Sequence, residues 1–438
     1  MRHTQVVVVG SGFGGLAAAK QLAKSNVETV LISATREHLF QPLLYQVATG
    51  VLTTDEIAPP IAEVLENKES ISVIEGLVTA VDAKAKILTY TTTDGDEQIG
   101  YQYLIVAAGA AQGYFGHDEW ADKTFSLKTL DDAVALRAHL KDCFAAPAND
   151  EAAHTFVVVG GGATGVEIAG QIRELGLRYF TEAPATVHLV EGAGNLLPVY
   201  GGKLSDFARK TLEGTGIDVL TETFVTDIDG ENVTVRAADG TERTLRSRTI
   251  VWSAGVKATP LAQVIADATG CDTDRAGRLL INPDLTVGGR ADIFAIGDMT
   301  SLNNLPGQSP VAMQQGRHAA DMIRGATVRG TRFAYIDKGS MAVVNRHNAV
   351  VDAPMGVKLT GFVGWLTWLG VHLFYLVGFR NRVGAVLSWF RSFAGKARPG
   401  FAEISESAVA QPEHDGDKPR GGRRSAGDTQ PDMAETAA

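Results

Sequence analysis

A run of valines, a glycine-rich turn and a stretch rich in small and apolar residues occur together twice in this chain. That repeat limits the possible fold more than any other feature. Val6-Val7-Val8-Val9 leads into Gly10-Ser11-Gly12-Phe13-Gly14-Gly15, and Phe156-Val157-Val158-Val159 leads into Gly160-Gly161-Gly162-Ala163-Thr164-Gly165. A continuous apolar run suits a strand buried on both faces. A G-x-G-x-x-G between such a strand and a helix is the turn of a dinucleotide-binding βαβ unit. Gly10 and Gly160 permit the tight turn, Gly12 and Gly162 let a pyrophosphate approach the backbone, and Gly15 and Gly165 let helix and strand pack closely. The helix N-terminus then offers free N–H groups and partial positive charge to the phosphates.

Both copies continue alike, with hairpin signals at Asp94-Gly95 and Asp239-Gly240. The fold class expected is therefore α/β, with two Rossmann-like dinucleotide-binding domains and a C-terminal membrane-associating helical segment. Residues 1–125 form the first unit, 126–283 the second, and 284–355 return to the first. Residues 356–398 are apolar, aromatic and basic. Residues 399–438 are too polar to offset the entropy of ordering and read as a disordered tail.

The 438 residues suffice for two to three domains, and a net charge of −10 argues against nucleic acid as a partner. Cys143 and Cys271 form no C-x-x-C pair, which leaves a local redox dithiol unsupported. The ten histidines form no ligand-spaced cluster, so no metal is expected. The opening "MRHTQVVVVG" runs straight into a strand and reads as no secretory signal.

Two features sharpen the first site. Tyr103 to Ala110 is a strand ending in small residues, with Ala108 and Gly109 where the chain would pass a bound dinucleotide. Ile293-Phe294-Ala295-Ile296 ends in Gly297-Asp298, which presents a carboxylate to hydroxyls and an N–H to phosphate. This resembles the second FAD-binding motif of flavoproteins with two dinucleotide domains, and implies noncovalent FAD held by Gly10, Gly12, Phe13, Gly14, Gly15, Gly297 and Asp298. The second strand ends at Ser33 rather than at an acidic residue. Its hydroxyl can bond a ribose, with Arg36 placed to cover the adenine.

In the second site the acidic residue is present, at Glu191. A carboxylate there favours the free 2′-hydroxyl of NADH and repels a 2′-phosphate. Gly160, Gly162, Thr164, Gly165, Glu191, Ala254 and Gly255 are the NAD-binding set. Glu167, just inside the helix, reads either as a charge complementing the helix dipole or as a side chain aimed at the nicotinamide–flavin cleft.

Two such sites in this order resemble the pyridine nucleotide–disulfide reductase superfamily, and the missing C-x-x-C sets aside its dithiol branch. "HLFQPLLYQVATGVLTTDEIAPPI", "GGGATGVEIAGQI", "VWSAGVKATPL", "FAIGDM" and "AMQQGRHAA" resemble the type II NADH dehydrogenases, single-chain, non-proton-pumping NADH:quinone oxidoreductases. The resemblance covers residues 4 to about 395. It implies Thr49 and Gly50 beside the isoalloxazine, Lys358 near the flavin ring, Glu167 by the nicotinamide, and Gln314 and Gln315 near the flavin and the quinone channel. Where that family carries Ala-Gln before x-A-x-Q, this chain has Ser309-Pro310. That leaves the identity of the acceptor open. The reaction implied is hydride transfer from NADH to FAD, then electron transfer to a quinone.

Leu359 to Phe379 is 21 residues long, without a charge other than that of a protonated His372, and could span a bilayer by length. Against spanning stand four glycines, clustered aromatics and a second amphipathic stretch. From Ala353 to Ala402 there is no Asp or Glu, while Lys358, Arg380, Arg382, Arg391, Lys396 and Arg398 are basic. The favoured reading is monotopic helices on the cytoplasmic side of the cell membrane, drawn to anionic lipid. A spanning helix and an interface in a homodimer are the alternatives. Two further functions compete with quinone reduction: a flavin-dependent NADH oxidoreductase with a soluble acceptor or protein, and a non-enzymatic NADH-binding redox sensor.

Overall fold

The computed structural model describes residues 1–178, 180, 185–394 and 398–401. Strands β1 (Arg2–Val9), β2 (Thr29–Ser33), β3 (Ile71–Glu75) and β4 (Gly95–Val106) form the first sheet in the order β4–β1–β2–β3. Val6 to Val9 pair in parallel with Thr29 to Ile32 on one side and with Tyr103 to Val106 on the other. Val6, Val7 and Val8 are fully buried, which is why this strand shows no polar alternation. The hairpin at Asp94-Gly95 joins β4 to the antiparallel strand Ile87–Thr92.

The second sheet repeats the plan with β5 (Thr155–Val159), β6 (Thr186–Val190), β7 (Asp218–Leu220) and β8 (Thr249–Trp252), all parallel, in the order β7–β6–β5–β8. Helix α1 (Phe13–Leu22) follows β1, and α2 (Ala163–Arg178) follows β5. At the turns between, Gly10 and Gly160 take φ of +95° and +107°. A Cβ on Gly15 would lie 1.9 Å from the Gly10 carbonyl oxygen, and one on Gly165 1.8 Å from that of Gly160. Each helix therefore meets its strand backbone to backbone, a contact that only glycine permits.

The chain recrosses to the first unit at Val256, ahead of the boundary expected at 284. Val256–Ala258 pairs antiparallel with Ala110–Gln112. The helix Pro260–Thr269 then buries Leu261, Ala262 and Ile265 in the core of the first sheet. Strand β9 (Arg290–Ala295) lies parallel to β4. Helix α3 (Ser309–Ile323) packs directly on α1, where a Cβ on Gly316 would lie 2.2 Å from the Gly14 carbonyl oxygen.

A further antiparallel sheet follows: β10 (Ser340–Asn345), β11 (Asn348–Ala353) and β12 (Val357–Thr360). Two helices close the described chain, α4 (Gly361–Tyr375) and α5 (Phe379–Ala394). The apolar run Leu359 to Phe379 is thus divided. Leu359 and Thr360 complete β12, Gly361 turns with φ +67°, and α4 has 15 residues. Among the described residues no helix is long and apolar enough to cross a membrane. Trp365, Trp368 and Trp389 are buried in the same core as the second sheet. Trp389 Nε1 donates to Gln46 Oε1 at 2.7 Å, which ties α5 to the segment after β2. Lys396 and the tail beyond Phe401 lie outside the described residues. Gly400, assigned from sequence to that tail, donates its N–H to the Gly50 carbonyl at 3.0 Å.

Candidate active site

A cavity of about 1290 Å³ begins at the first glycine turn, passes between the two units and ends against α4. Of the residues expected at a flavin, Gly10, Gly12, Phe13, Gly14, Ser33, Ala108, Gly109, Gly297, Asp298 and Gln315 line it. Thr164 and Glu167 line it from the second unit, and Val371, His372 and Tyr375 from α4. A side chain on Gly12 would meet no atom within 4 Å, so the turn leaves open space where a pyrophosphate approaches. The size, the glycine cradle and a carboxylate beyond it fit FAD.

The polar groups along this cavity are fixed by their neighbours. Ser33 Oγ and Ser11 Oγ are 2.8 Å apart, so the Ser33 hydroxyl is shared before any ribose arrives. Arg36 is exposed and paired with Glu75; it does not line the cavity, and its guanidinium is spent at the edge of β3. Burial pushes the Asp298 carboxyl above its ordinary value, and the positive charges of Lys128 and Arg278 act against that. Gln315 Oε1 accepts the Gly297 N–H at 2.7 Å, linking the middle of α3 to the turn after β9.

Glu167 is buried, and its Oε1 accepts the Val343 N–H at 3.2 Å. Burial raises its pKa to about 8, partly opposed by that hydrogen bond. At neutral pH the carboxyl is therefore mostly protonated, which makes a simple helix-dipole charge a poor description of it. Burial, with the Glu167 charge second, also raises the pKa of Tyr45 and Tyr200, which line the cavity near it.

Other expected residues stand elsewhere. Gln314 points away from Gln315: its Nε2 donates to the Ile336 carbonyl at 2.9 Å and its Oε1 accepts the Ile336 N–H at 3.0 Å. It clamps the segment that brings Lys338 to the cavity. Thr49 is fully buried and donates to the Tyr45 carbonyl, while Gly50 packs under Phe401. Neither lines the cavity; Leu44 and Tyr45 of the same segment do. Lys358 does not line it either, because β12 directs its Nζ to the Tyr200 carbonyl at 3.3 Å. Gly160, Gly162, Gly165, Ala254 and Gly255 surround the start of α2 without lining the cavity. There Glu191 accepts N–H bonds from Gly161 and, at 2.6 Å, from Ala193.

Lys128, Tyr45, Tyr200 and His372 were not singled out from sequence as site residues. Tyr45 lies inside the quoted signature segment and could have been. Lys128 and Tyr200 carry no local signal, since long-range packing brings them in. Ser309 and Pro310 do line the cavity, beside Gln308, whose Nε2 donates to Ser340 Oγ at 3.3 Å. Among the described residues no group of three or more His, Cys, Asp or Glu could hold a metal ion. Cys143 and Cys271 are both free and buried.

Residues 4–316 match the family described as pyridine nucleotide-disulphide oxidoreductase. The chain is 42% identical over 430 residues to type II NADH:quinone oxidoreductase NdhA of Mycobacterium tuberculosis, covering 94% of this chain and 91% of the relative. It is 40% identical over 430 residues to Ndh of the same organism, covering 94% and 92%. Among solved structures, NDH2 from Plasmodium falciparum in complex with NADH superposes with a TM-score of 0.81 at 20% identity, over 91% of this chain and 100% of that one. Matched by the family model over most of its length, and by these relatives almost end to end, the chain belongs to the pyridine nucleotide-disulphide oxidoreductases and, within them, to the type II NADH:quinone oxidoreductases.

Proposed function

We propose that the protein is an NADH:quinone oxidoreductase that works through noncovalent FAD and pumps no protons. One observation carries this reading: a single cavity joins the first glycine turn, the start of α2 and the inner side of α4. FAD bound there would accept hydride from NADH and return two electrons to a quinone. The chain itself supplies position and a dry surrounding. Gly10 to Gly14 and the start of α1 hold the pyrophosphate. Asp298 holds hydroxyls of the flavin's sugar chain, and Ser33 the adenosine end. Glu167, kept largely neutral by burial, closes the nicotinamide end without adding a charge. Gln315 positions the Gly297 turn. Glu191 selects NADH.

The acceptor arrives from lipid. The outer side of α4 and α5 exposes Phe374, Phe379 and Phe390, at 71%, 83% and 70% of their surface. Arg380, Arg382 and Arg391 are exposed among them. Exposed aromatics with cations describe helices seated in the headgroup layer, on the cytoplasmic face where NADH is found. Pairing of two copies through this face is the competing occupant, and liposome flotation set beside solution mass separates the two.

The direct test is anaerobic titration of the FAD-loaded protein with NADH, followed by reoxidation with a panel of quinones and a soluble one-electron acceptor. Flavin bleached by NADH and restored by quinone is the expected result. Restoration by the soluble acceptor alone supports a different oxidoreductase, and flavin that NADH leaves oxidised supports the sensor reading.

A further inference from the structure

His372 reaches the cavity from α4, the helix whose other side carries the exposed aromatics. Its ring is held on three sides. It stacks on Trp368 at 4.0 Å between centroids, meets the edge of Phe40 at 6.2 Å, and its Nδ1 lies 2.8 Å from the Trp368 carbonyl oxygen. A carbonyl oxygen only accepts, so Nδ1 carries the proton. Nε2 of the neutral ring is then a bare lone pair. It has no hydrogen-bond partner among the described residues, on a side chain that lines the cavity.

That fixed tautomer decides which ligand the ring can greet. A quinone presents carbonyl oxygens, which are acceptors, and two acceptors facing each other gain nothing. A quinol presents O–H donors. The overall reaction, NADH + H⁺ + quinone → NAD⁺ + quinol, adds two electrons to the ring system and one proton to each oxygen. The hydrogen bond to Nε2 thus becomes available only as an oxygen acquires its proton. Desolvation lowers the His372 pKa to about 4, which keeps the lone pair free at neutral pH.

We propose that His372 is a specificity-determining residue of the acceptor end, accepting through Nε2 a hydrogen bond from the quinol hydroxyl and so favouring the reduced headgroup over the oxidised one. This rests on the quinone-reductase reading above. The position suits a headgroup entering from lipid past Tyr375 and Val371, since both line the cavity beside His372.

The test uses the full-length FAD-loaded protein in its oxidised state, with duroquinol and duroquinone under argon. Binding is measured by titration calorimetry, so turnover is not the readout. His372→Phe keeps an aromatic ring for Trp368 and Phe40 but removes both nitrogens. It should weaken duroquinol binding roughly two- to tenfold, the range of one neutral hydrogen bond, and change duroquinone binding by less. His372→Gln, which offers an amide oxygen, should recover part of the loss. In wild type labelled with ¹⁵N-histidine, the unprotonated Nε2 resonance should move upfield on adding duroquinol and stay in place with duroquinone. Equal weakening of both ligands by His372→Phe, or an Nε2 resonance indifferent to duroquinol, overturns the proposal. The resonance experiment also decides the matter if the Phe variant fails to hold FAD. Wild type that never oxidises NADH with any quinone overturns the underlying reading instead, and is told apart by that assay.

Discussion

The Val343 amide and the Glu167 carboxyl are hydrogen-bonded at 3.2 Å across two elements, β10 and α2. The bond orients the carboxyl at the cavity but does not compensate its burial, and the pKa rises to about 8. An ordinary glutamate titrates near 4.5. Between these values the folded state binds more protons than the unfolded state, so this group makes stability fall as pH rises through that window. Glu167→Gln should match wild type in thermal stability near pH 4.5 and exceed it increasingly toward pH 8. Scanning calorimetry across that range checks this, and a gap that does not widen with pH argues that the carboxyl is already ionised in the cavity. The same variant should slow flavin reduction by NADH more than it weakens FAD binding.

The two glycine contacts at the helix starts separate the two nucleotide sites. A methyl group at Gly15 or Gly165 would fall within 2 Å of a carbonyl oxygen, and relieving such overpacking costs roughly 1–3 kcal/mol or more. Gly15→Ala should purify depleted in FAD. Gly165→Ala should retain FAD yet need at least about tenfold more NADH to bleach it. Flavin content and anaerobic NADH titration read both. Loss of FAD from the Gly165 variant would reverse the assignment of the sites.

Glu191 is held by the Gly161 and Ala193 N–H groups, so its position does not depend on the nucleotide. Glu191→Gln removes the charge while keeping one acceptor oxygen. The preference for NADH over NADPH should narrow by about tenfold, the scale of one modest electrostatic discrimination. The ratio of kcat/KM for the two nucleotides measures it, and a wild type indifferent between them removes the assignment.

Truncating the C-terminal helices is a poor test of lipid binding, because Trp365, Trp368 and Trp389 belong to the core. Replacing Phe374, Phe379 and Phe390 by serine avoids the core. Each buried phenylalanine contributes roughly 1.5–3 kcal/mol, so liposome affinity should fall by about tenfold or more per residue while FAD content and thermal stability hold. Unchanged flotation on anionic vesicles would move the membrane contact elsewhere.

What could be read from the sequence was what backbone geometry demands locally. Gly10 and Gly160 stand where φ must be positive, Gly15 and Gly165 where no Cβ fits, and Gly297-Asp298 at the end of a buried strand. These requirements write themselves into short motifs. Gln314 and Gln315 show the limit: adjacent residues on a helix point about 100° apart, and sequence alone did not say that Gln315 lines the cavity while Gln314 bonds the Ile336 backbone. Lys358 fails for a related reason, because one pleat of β12 decides its direction. The apolar run from Leu359 was ambiguous between strand and helix until Gly361 divided it. The early crossing at Val256 depends on long-range pairing with Ala110–Gln112, which no local pattern records.

Helix α2 begins at the second glycine turn and meets β10 backbone to backbone at Gly170, where a Cβ would lie 2.0 Å from the Val344 carbonyl oxygen. One turn further on, Glu174 is paired with Arg346 from the β10–β11 turn and with Arg398, each at 3.3 Å. The Glu167 side of the cleft is thereby riveted to the sheet that leads into α4. Backbone packing at Gly170 and the buried contacts of Glu167 and Glu174 hold it together. Widening the cleft here would mean parting packed backbone and a buried ion-pair network together, a larger disruption than turning a side chain.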